Sequence, residues 1–217
     1  MTNDAVTLYH APRTRSSGVR ILLDELNAPH ELKILNLKLR EQFSPDYLAL
    51  NPLGKVPTIV HKGAVVTEQT AIYPYLADAF PQKGLAPAIG DALRGPYLRW
   101  IAIYGAAFEP AMIDHAQKRV SEPRAMSPYG SYEEIVGLVR GQLAEGPYLF
   151  GERFTAADLL WGTALRWMVV FGLIESTPEI AAYVERIAGR DSVHRIGKSD
   201  HEIAEAQEAA FAAAKPD

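Results

Sequence analysis

Arg13-Thr14-Arg15-Ser16-Ser17-Gly18 places three hydroxyls and two arginines in one loop. The apolar residues that follow, Val19, Leu22, Leu23 and Leu26, are spaced as one face of a helix. A helix starting there offers unpaired N–H groups and the positive end of its dipole, a setting that stabilises an anion. A hydroxyl donating to that anion adds to the effect, although any one of the three also serves as an ordinary helix cap. Arg15 cannot take a proton; its charge either favours the same anion or faces solvent. The chain of 217 residues has no cysteine, which excludes disulfides, thiolate metal ligands and a protein-borne thiol nucleophile. Sulfur chemistry here requires a ligand that brings the sulfur.

A second stretch with chemical potential is Asn51-Pro52-Leu53-Gly54-Lys55-Val56-Pro57, a loop that enters the β-branched run Thr58-Ile59-Val60 through a proline. An X-Pro bond reaches cis at modest cost, and a cis bond at Pro57 would leave the Val56 backbone outside the sheet and open to a ligand. Farther on, Glu68-Gln69-Thr70 precedes Ala71, Ile72, Tyr75, Leu76 and Phe80, again at helical spacing. Glu68 at that helix start either compensates the dipole or meets a ligand.

The elements that must position these residues follow from periodicity. Residues 5–9 form a strand, residues 31–37 a second one, and the helix between them makes them parallel in a right-handed βαβ unit. Residues 40–50 form a short connecting helix, and Lys62-Gly63 turns a hairpin between residues 58–61 and 64–67. The helix reaching Phe80 completes a four-stranded α/β domain. Residues 81–87, with Pro81, Gly84 and Pro87, concentrate helix breakers. Beyond them nearly everything is helical: residues 92–115 with a kink near Pro110, then 132–145, 156–171, one helix from Pro178 and an alanine-rich tail over 202–214. Residues 121–131, rich in proline, serine and glycine, form a mobile connection. Thr155 and Asp158 form a capping box, with Phe154 placed to staple against Leu159, and their role is structural.

Hydrophobic residues make up 48% of the chain and charged residues 22%, with a net charge of −4. That balance, with no basic block, argues against nucleic acid as a partner. The polar start at Met1, Thr2, Asn3 and Asp4 lacks the pattern of a signal peptide, and no apolar run approaches the roughly 18 residues that span a bilayer. The expectation is a cytoplasmic protein with no membrane partner.

Val56-Pro57, Glu68 and the Thr155–Asp158 box after Gly151 and Phe154 together resemble the cytosolic glutathione S-transferase superfamily, over nearly the whole chain. The resemblance implies a thioredoxin-like α/β N-terminal domain (βαβ-α-ββα) followed by an all-α domain. Residues 1–80 are then the glutathione-binding domain, 81–91 a linker, and 92–217 the helical domain that supplies an electrophile pocket. It further implies that Pro57 is cis, that the Val56 backbone pairs with the cysteinyl part of glutathione, and that Glu68 binds the γ-glutamyl end. Gln69 stands where the family usually has serine; its amide can donate to a carboxylate, and Thr70 is the nearest substitute hydroxyl. Lys55 either reaches the glycyl carboxylate or points into water.

Counting from Leu8 and Tyr9, Thr14 falls where serine-type members of the superfamily have their catalytic serine. Arg15 falls where others have cysteine, and Ser16 lies one step further. Tyr9 resembles a strand tyrosine that several classes have without using it. Thr14 and Ser16 are thus the leading candidates to activate the thiol, with Arg15 as a cationic stabiliser and Ser17 as a cap. Tyr104, Phe108 and Met112 are expected to line an apolar electrophile pocket. The implied activity is glutathione transfer to a small hydrophobic electrophile, a detoxification chemistry, with glutathione as co-substrate and neither cofactor nor metal. The implied assembly is a homodimer. Two other readings stay open: a non-catalytic glutathione-binding or protein-interaction module of the same fold, and a glutathione-dependent disulfide or peroxide reductase. The missing cysteine weakens the last.

Overall fold

A computed structural model describes residues 4–119 and 123–214. Met1, Thr2 and Asn3, part of the polar N-terminus, and Ser121 and Glu122, part of the expected mobile connection, lie outside the described residues.

β1 (Val6–His10) alternates buried and half-buried residues, so Val6, Leu8 and His10 share its covered face. α1 (Ser16–Leu26) returns the chain to β2 (His30–Ile34), which lies parallel to β1 with Val6 opposite His30. The connector after β2 differs from the single helix expected over residues 40–50. Two 3₁₀ turns, Leu37–Leu39 and Glu41–Phe43, precede a one-turn helix, α2 (Pro45–Leu48). Arg40 between the two turns has φ 62°, and Ser44 caps α2 ahead of Pro45, so no longer helix forms. β3 (Thr58–His61) and β4 (Ala64–Thr67) make the expected hairpin, with Lys62 and Gly63 both at positive φ, and α3 (Gln69–Ala79) follows.

The sheet order is β2-β1-β3-β4, with β3 antiparallel to both neighbours. Tyr9 pairs with Thr58, and Thr58 with Thr67. The register therefore brings the exit of β1, the entrance of β3 and the exit of β4 to one end of the sheet. All three segments singled out for chemistry start or finish there.

The chain divides into two compact units, Met1–Lys83 with Asp191–Asp217, and Gly84–Arg190. Residues 191–217, expected with the helical region, group instead with the α/β unit. α9 (Asp191–Ala213) is continuous rather than confined to an alanine-rich tail, and it buries Ser192, Val193, Ile196, Asp200 and Ala204 along one stripe. It packs on α1, where Arg195 pairs with Asp24 at 2.5 Å and Ser192 donates to Glu25.

The second unit holds α4 (Arg94–Ile103), α5 (Glu109–Ala116), α6 (Tyr132–Leu143), α7 (Ala156–Val170) and α8 (Pro178–Ala188). The kink expected near Pro110 is a π-helical turn, Tyr104–Phe108, joining α4 to α5. Proline lacks an N–H and cannot continue the regular ladder, so the wider turn falls just before it. α7 runs through the core, and ten of its fifteen residues are buried. The box at its start forms as expected, with the Asp158 carboxylate accepting from the Thr155 N–H at 2.8 Å. Burial pushes the Asp158 carboxyl above its ordinary value, against the hydrogen bonds from Leu149, Thr155 and Tyr183. No described helix is long and apolar enough to cross a membrane.

Candidate active site

Thr14 sits half-buried at the mouth of the loop, and Ser16 is fully buried at the first turn of α1. Arg15 occupies the cap position but makes no side-chain cap bond. The capping work falls to Thr14, whose Oγ1 accepts from the Ser16 N–H at 3.2 Å. Thr14 Oγ1 also lies 2.7 Å from the Ala11 carbonyl, to which it donates, and 2.8 Å from Ser16 Oγ. Ser17 is not the cap; its hydroxyl donates to Asp200 on α9.

The burial of Ser16 corrects its place among the activating hydroxyls. At 0% exposure, with His10 Nδ1, the Ala11 N–H, the Ala11 carbonyl and Thr14 all within 3.1 Å, its oxygen cannot touch a ligand. Thr14 is the candidate that stays half-buried, with its hydroxyl turned to the Ala11 carbonyl and Ser16. The Arg15 side chain is exposed, and its carbonyl accepts from Gln69 Nε2 at 3.3 Å.

The Val56–Pro57 bond is cis, and β3 starts only at Thr58. Val56 is half-buried outside the ladder, Pro57 is buried, and the Lys55 side chain is exposed. Two buried polar residues hold this loop from behind. Asn51 donates to the Lys55 carbonyl at 2.9 Å and to Thr58 Oγ1 at 3.1 Å. The Tyr47 hydroxyl donates to the same Lys55 carbonyl and lies 2.8 Å from Thr58 Oγ1. Burial raises the Tyr47 phenol above its ordinary value, so it stays a donor. Gly54 has φ +59°, and a Cβ there would come within 2.7 Å of the Phe43 ring, so glycine is favoured at this turn.

Glu68 is exposed, caps α3 without a side-chain cap bond, and has φ 62° and ψ 123°. A non-glycine residue in such a conformation is costly and clusters at ligand sites. Gln69, by contrast, is only 8% exposed, and its amide is turned toward the Arg15 carbonyl. Gln69 therefore ties the α1 loop to the start of α3, a role distinct from the carboxylate donor expected of it. The α1 and α3 N-termini open at the same sheet end as Thr14 and Val56, which makes that end attractive to an anionic ligand.

Tyr104, Phe108 and Met112 do not line a pocket. They are 2%, 0% and 0% exposed, and the Phe108 and Tyr104 rings pack on Trp161 at 4.8 and 5.7 Å. Helical spacing identifies a covered face without saying whether protein or a cleft covers it, and here α7 does. One cavity in the helical unit, of about 670 Å³, has walls that include Asp114, His115, Lys118, Arg119 and Tyr132.

Sequence reasoning missed His10, Arg20 and Asp200. His10 Nε2 lies 3.0 Å from Asp200 Oδ1, and Arg20 Nη1 donates to the same oxygen at 2.6 Å. Burial opposes the charge on Asp200, but the hydrogen bonds from His10, Ser17 and Arg20 outweigh it and hold the carboxyl below its ordinary value. A histidine in phase with Val6 and Leu8 on a strand was the available signal; nothing local points to a partner 190 residues away.

Comparison with known proteins gives a consistent picture. The family model described as the glutathione S-transferase N-terminal domain matches residues 4–78, and that of the C-terminal domain matches residues 129–186. The Escherichia coli O157:H7 glutathione S-transferase GstA is 29% identical over 189 residues, covering 86% of this chain and 94% of its own. A crystal structure of a glutathione transferase from Methylococcus capsulatus aligns with TM-score 0.77 and 30% identity, over 91% of this chain and 100% of that one. A sphingomonad glutathione S-transferase complexed with glutathione aligns with TM-score 0.75 and 29% identity, over 90% and 98%.

Proposed function

The chain belongs to the cytosolic glutathione S-transferase superfamily, and on that premise we propose that Thr14 activates glutathione, bound at the sheet end described above, for attack on a small hydrophobic electrophile. As an enzyme of this family it is a glutathione S-transferase; the thiolate mechanism and the residue roles are our reading. The observation that carries it is that Thr14 stays half-buried at the head of α1 while Ser16 is sealed, although the Thr14 oxygen is itself held by the Ser16 N–H and the Ala11 carbonyl and must turn to meet a ligand.

A free thiol has a pKa near 8.5, so a site that uses the thiolate must lower it. Turned from the Ala11 carbonyl to the sulfur, the Thr14 hydroxyl favours the charged form, assisted by the α1 N-terminus and the charge of Arg15. The Val56 backbone would pair with the cysteinyl part, beside Pro57, and Glu68 would bind the γ-glutamyl ammonium. Lys55 would reach the glycyl carboxylate, and Gln69 would act indirectly by fixing the Arg15 backbone. No metal or other cofactor takes part in this scheme. Family membership also carries the expectation of a homodimer, which sedimentation of the purified protein checks.

The direct test is steady-state conjugation of a chloronitrobenzene by Thr14→Ala. One hydrogen bond to a charged group is worth about 1.5–3 kcal/mol, so kcat should fall about tenfold to a hundredfold with glutathione affinity held within about twofold. Unchanged turnover would sink the assignment. A second reading, glutathione binding without transfer, draws support from the inward turn of the Thr14 hydroxyl. Retention on immobilised glutathione with no conjugation across an electrophile panel would favour it.

A further inference from the structure

Behind Thr14 runs a chain of hydrogen-bonding groups that thiol activation by one hydroxyl does not require; the Ala11 carbonyl is a second acceptor for both of its hydroxyls, so each turns from that carbonyl to pass a proton inward. Thr14 Oγ1 lies 2.8 Å from Ser16 Oγ, Ser16 Oγ 2.8 Å from His10 Nδ1, and His10 Nε2 3.0 Å from Asp200 Oδ1. This chain of groups begins at a half-buried hydroxyl, passes through two side chains with 0% exposure and ends on a buried carboxylate. Each member lies within ordinary hydrogen-bond distance of the next. The charged groups facing His10 are Asp200 from α9 and, on the same carboxylate oxygen, Arg20 from α1; Ser17 holds the other oxygen. Asp200 accepts the Nε2 hydrogen, which leaves Nδ1 as the acceptor toward Ser16.

We propose that His10, oriented by Asp200, receives the thiol proton of glutathione through the hydroxyls of Ser16 and Thr14, an inference that rests on Thr14 being the group at the sulfur. The thiol S–H bond breaks and its electron pair stays on sulfur. Its proton passes to Thr14 Oγ1, the Thr14 hydroxyl proton passes to Ser16 Oγ, and the Ser16 proton passes to His10 Nδ1. One S–H bond is lost and one N–H bond is gained, with both hydroxyls intact at the end. Every hydrogen then points the opposite way: His10 donates to Ser16, Ser16 to Thr14 and Thr14 to the thiolate, while Asp200 faces the imidazolium it stabilises. Ser16, His10 and Asp200 act through Thr14, as positioning and relay residues rather than by contact with substrate.

The experiment counts protons. Glutathione is bound to the intact protein in weak buffer with a pH indicator, and thiolate is read by its ultraviolet absorbance. S-methylglutathione, which has no thiol, supplies the correction for protons released elsewhere. The relay predicts clearly fewer than one proton released per thiolate formed, because His10 retains the difference. One proton per thiolate in the unmutated protein overturns it, whether or not any variant folds. His10→Gln and Ser16→Ala should restore full release and raise the bound thiol pKa by about one unit, a tenfold loss of thiolate below that pKa. Thr14→Ala separates the two claims. If it leaves the thiolate yield unchanged, the activation reading itself fails. If it lowers the yield while the parent releases one proton per thiolate, only the relay fails.

Discussion

Thr14 and Ser16 lie two positions apart and do different work, because the turn into α1 leaves one hydroxyl half-buried at the surface and seals the other beneath it. The same contrast separates Lys55 from Asn51, one presenting its side chain outward and the other holding the loop by its carbonyl. Tyr47→Phe should therefore weaken glutathione binding several-fold without touching the ligand, by removing a donor worth about 1 kcal/mol from that carbonyl; isothermal calorimetry gives the answer. Gly54→Ala combines a left-handed backbone with a clash on Phe43 and should lower stability by about 1–3 kcal/mol in urea unfolding. The loop through Val56 and Pro57 was legible in the sequence because a proline at a strand entrance is a local pattern, and its expected cis bond forms. His10 and Asp200 were not legible, since a pair of residues that meet only after folding leaves no local pattern.

Among the elements, α7 shows how much a short motif can specify. Thr155 and Asp158 were readable as a capping box, but the sequence did not show that the Asp158 carboxylate also accepts from the Leu149 N–H at 2.8 Å and the Tyr183 hydroxyl at 3.0 Å. Asp158→Ala leaves several buried donors unpaired and should cost about 3 kcal/mol or more, against about 1 kcal/mol for the loss of a surface cap. α7 also packs closely on α8, where a Cβ at Gly162 would lie 2.5 Å from Ile187 Cγ1. Gly162→Ala should lower the unfolding midpoint despite the better helix propensity of alanine, by about 1–3 kcal/mol of overpacking. The Tyr104, Phe108 and Met112 stripe was readable as a covered face; which element covers it depends on α7, whose packing partners no periodicity reveals.

At the scale of the whole molecule, the βαβ unit, the hairpin and the helical second half follow from alternation, turns and breakers and form as expected, while the order β2-β1-β3-β4, with β3 beside β1, comes from the structure. The exception is α9, which joins the α/β unit through Asp200, Arg195 and a thin apolar stripe. Its docking should depend on acid. The folded Asp200 carboxyl titrates below its ordinary value of 3.8, so as pH falls the unfolded chain takes up that proton first. The stability it contributes is complete above the ordinary value and is lost as pH drops through the folded one. Urea unfolding of Asp200→Asn should accordingly show a flatter loss of stability across this acid range than the parent. The claim at the centre of the account is that Thr14 sets the ionisation of bound glutathione. It is tested most directly by ultraviolet titration of the bound thiol in the parent and in Thr14→Val, which keeps the shape and removes the hydroxyl. The parent pKa should lie below that of free glutathione and rise by about one unit or more in the variant; equal pKa values in the two proteins would contradict the role of Thr14.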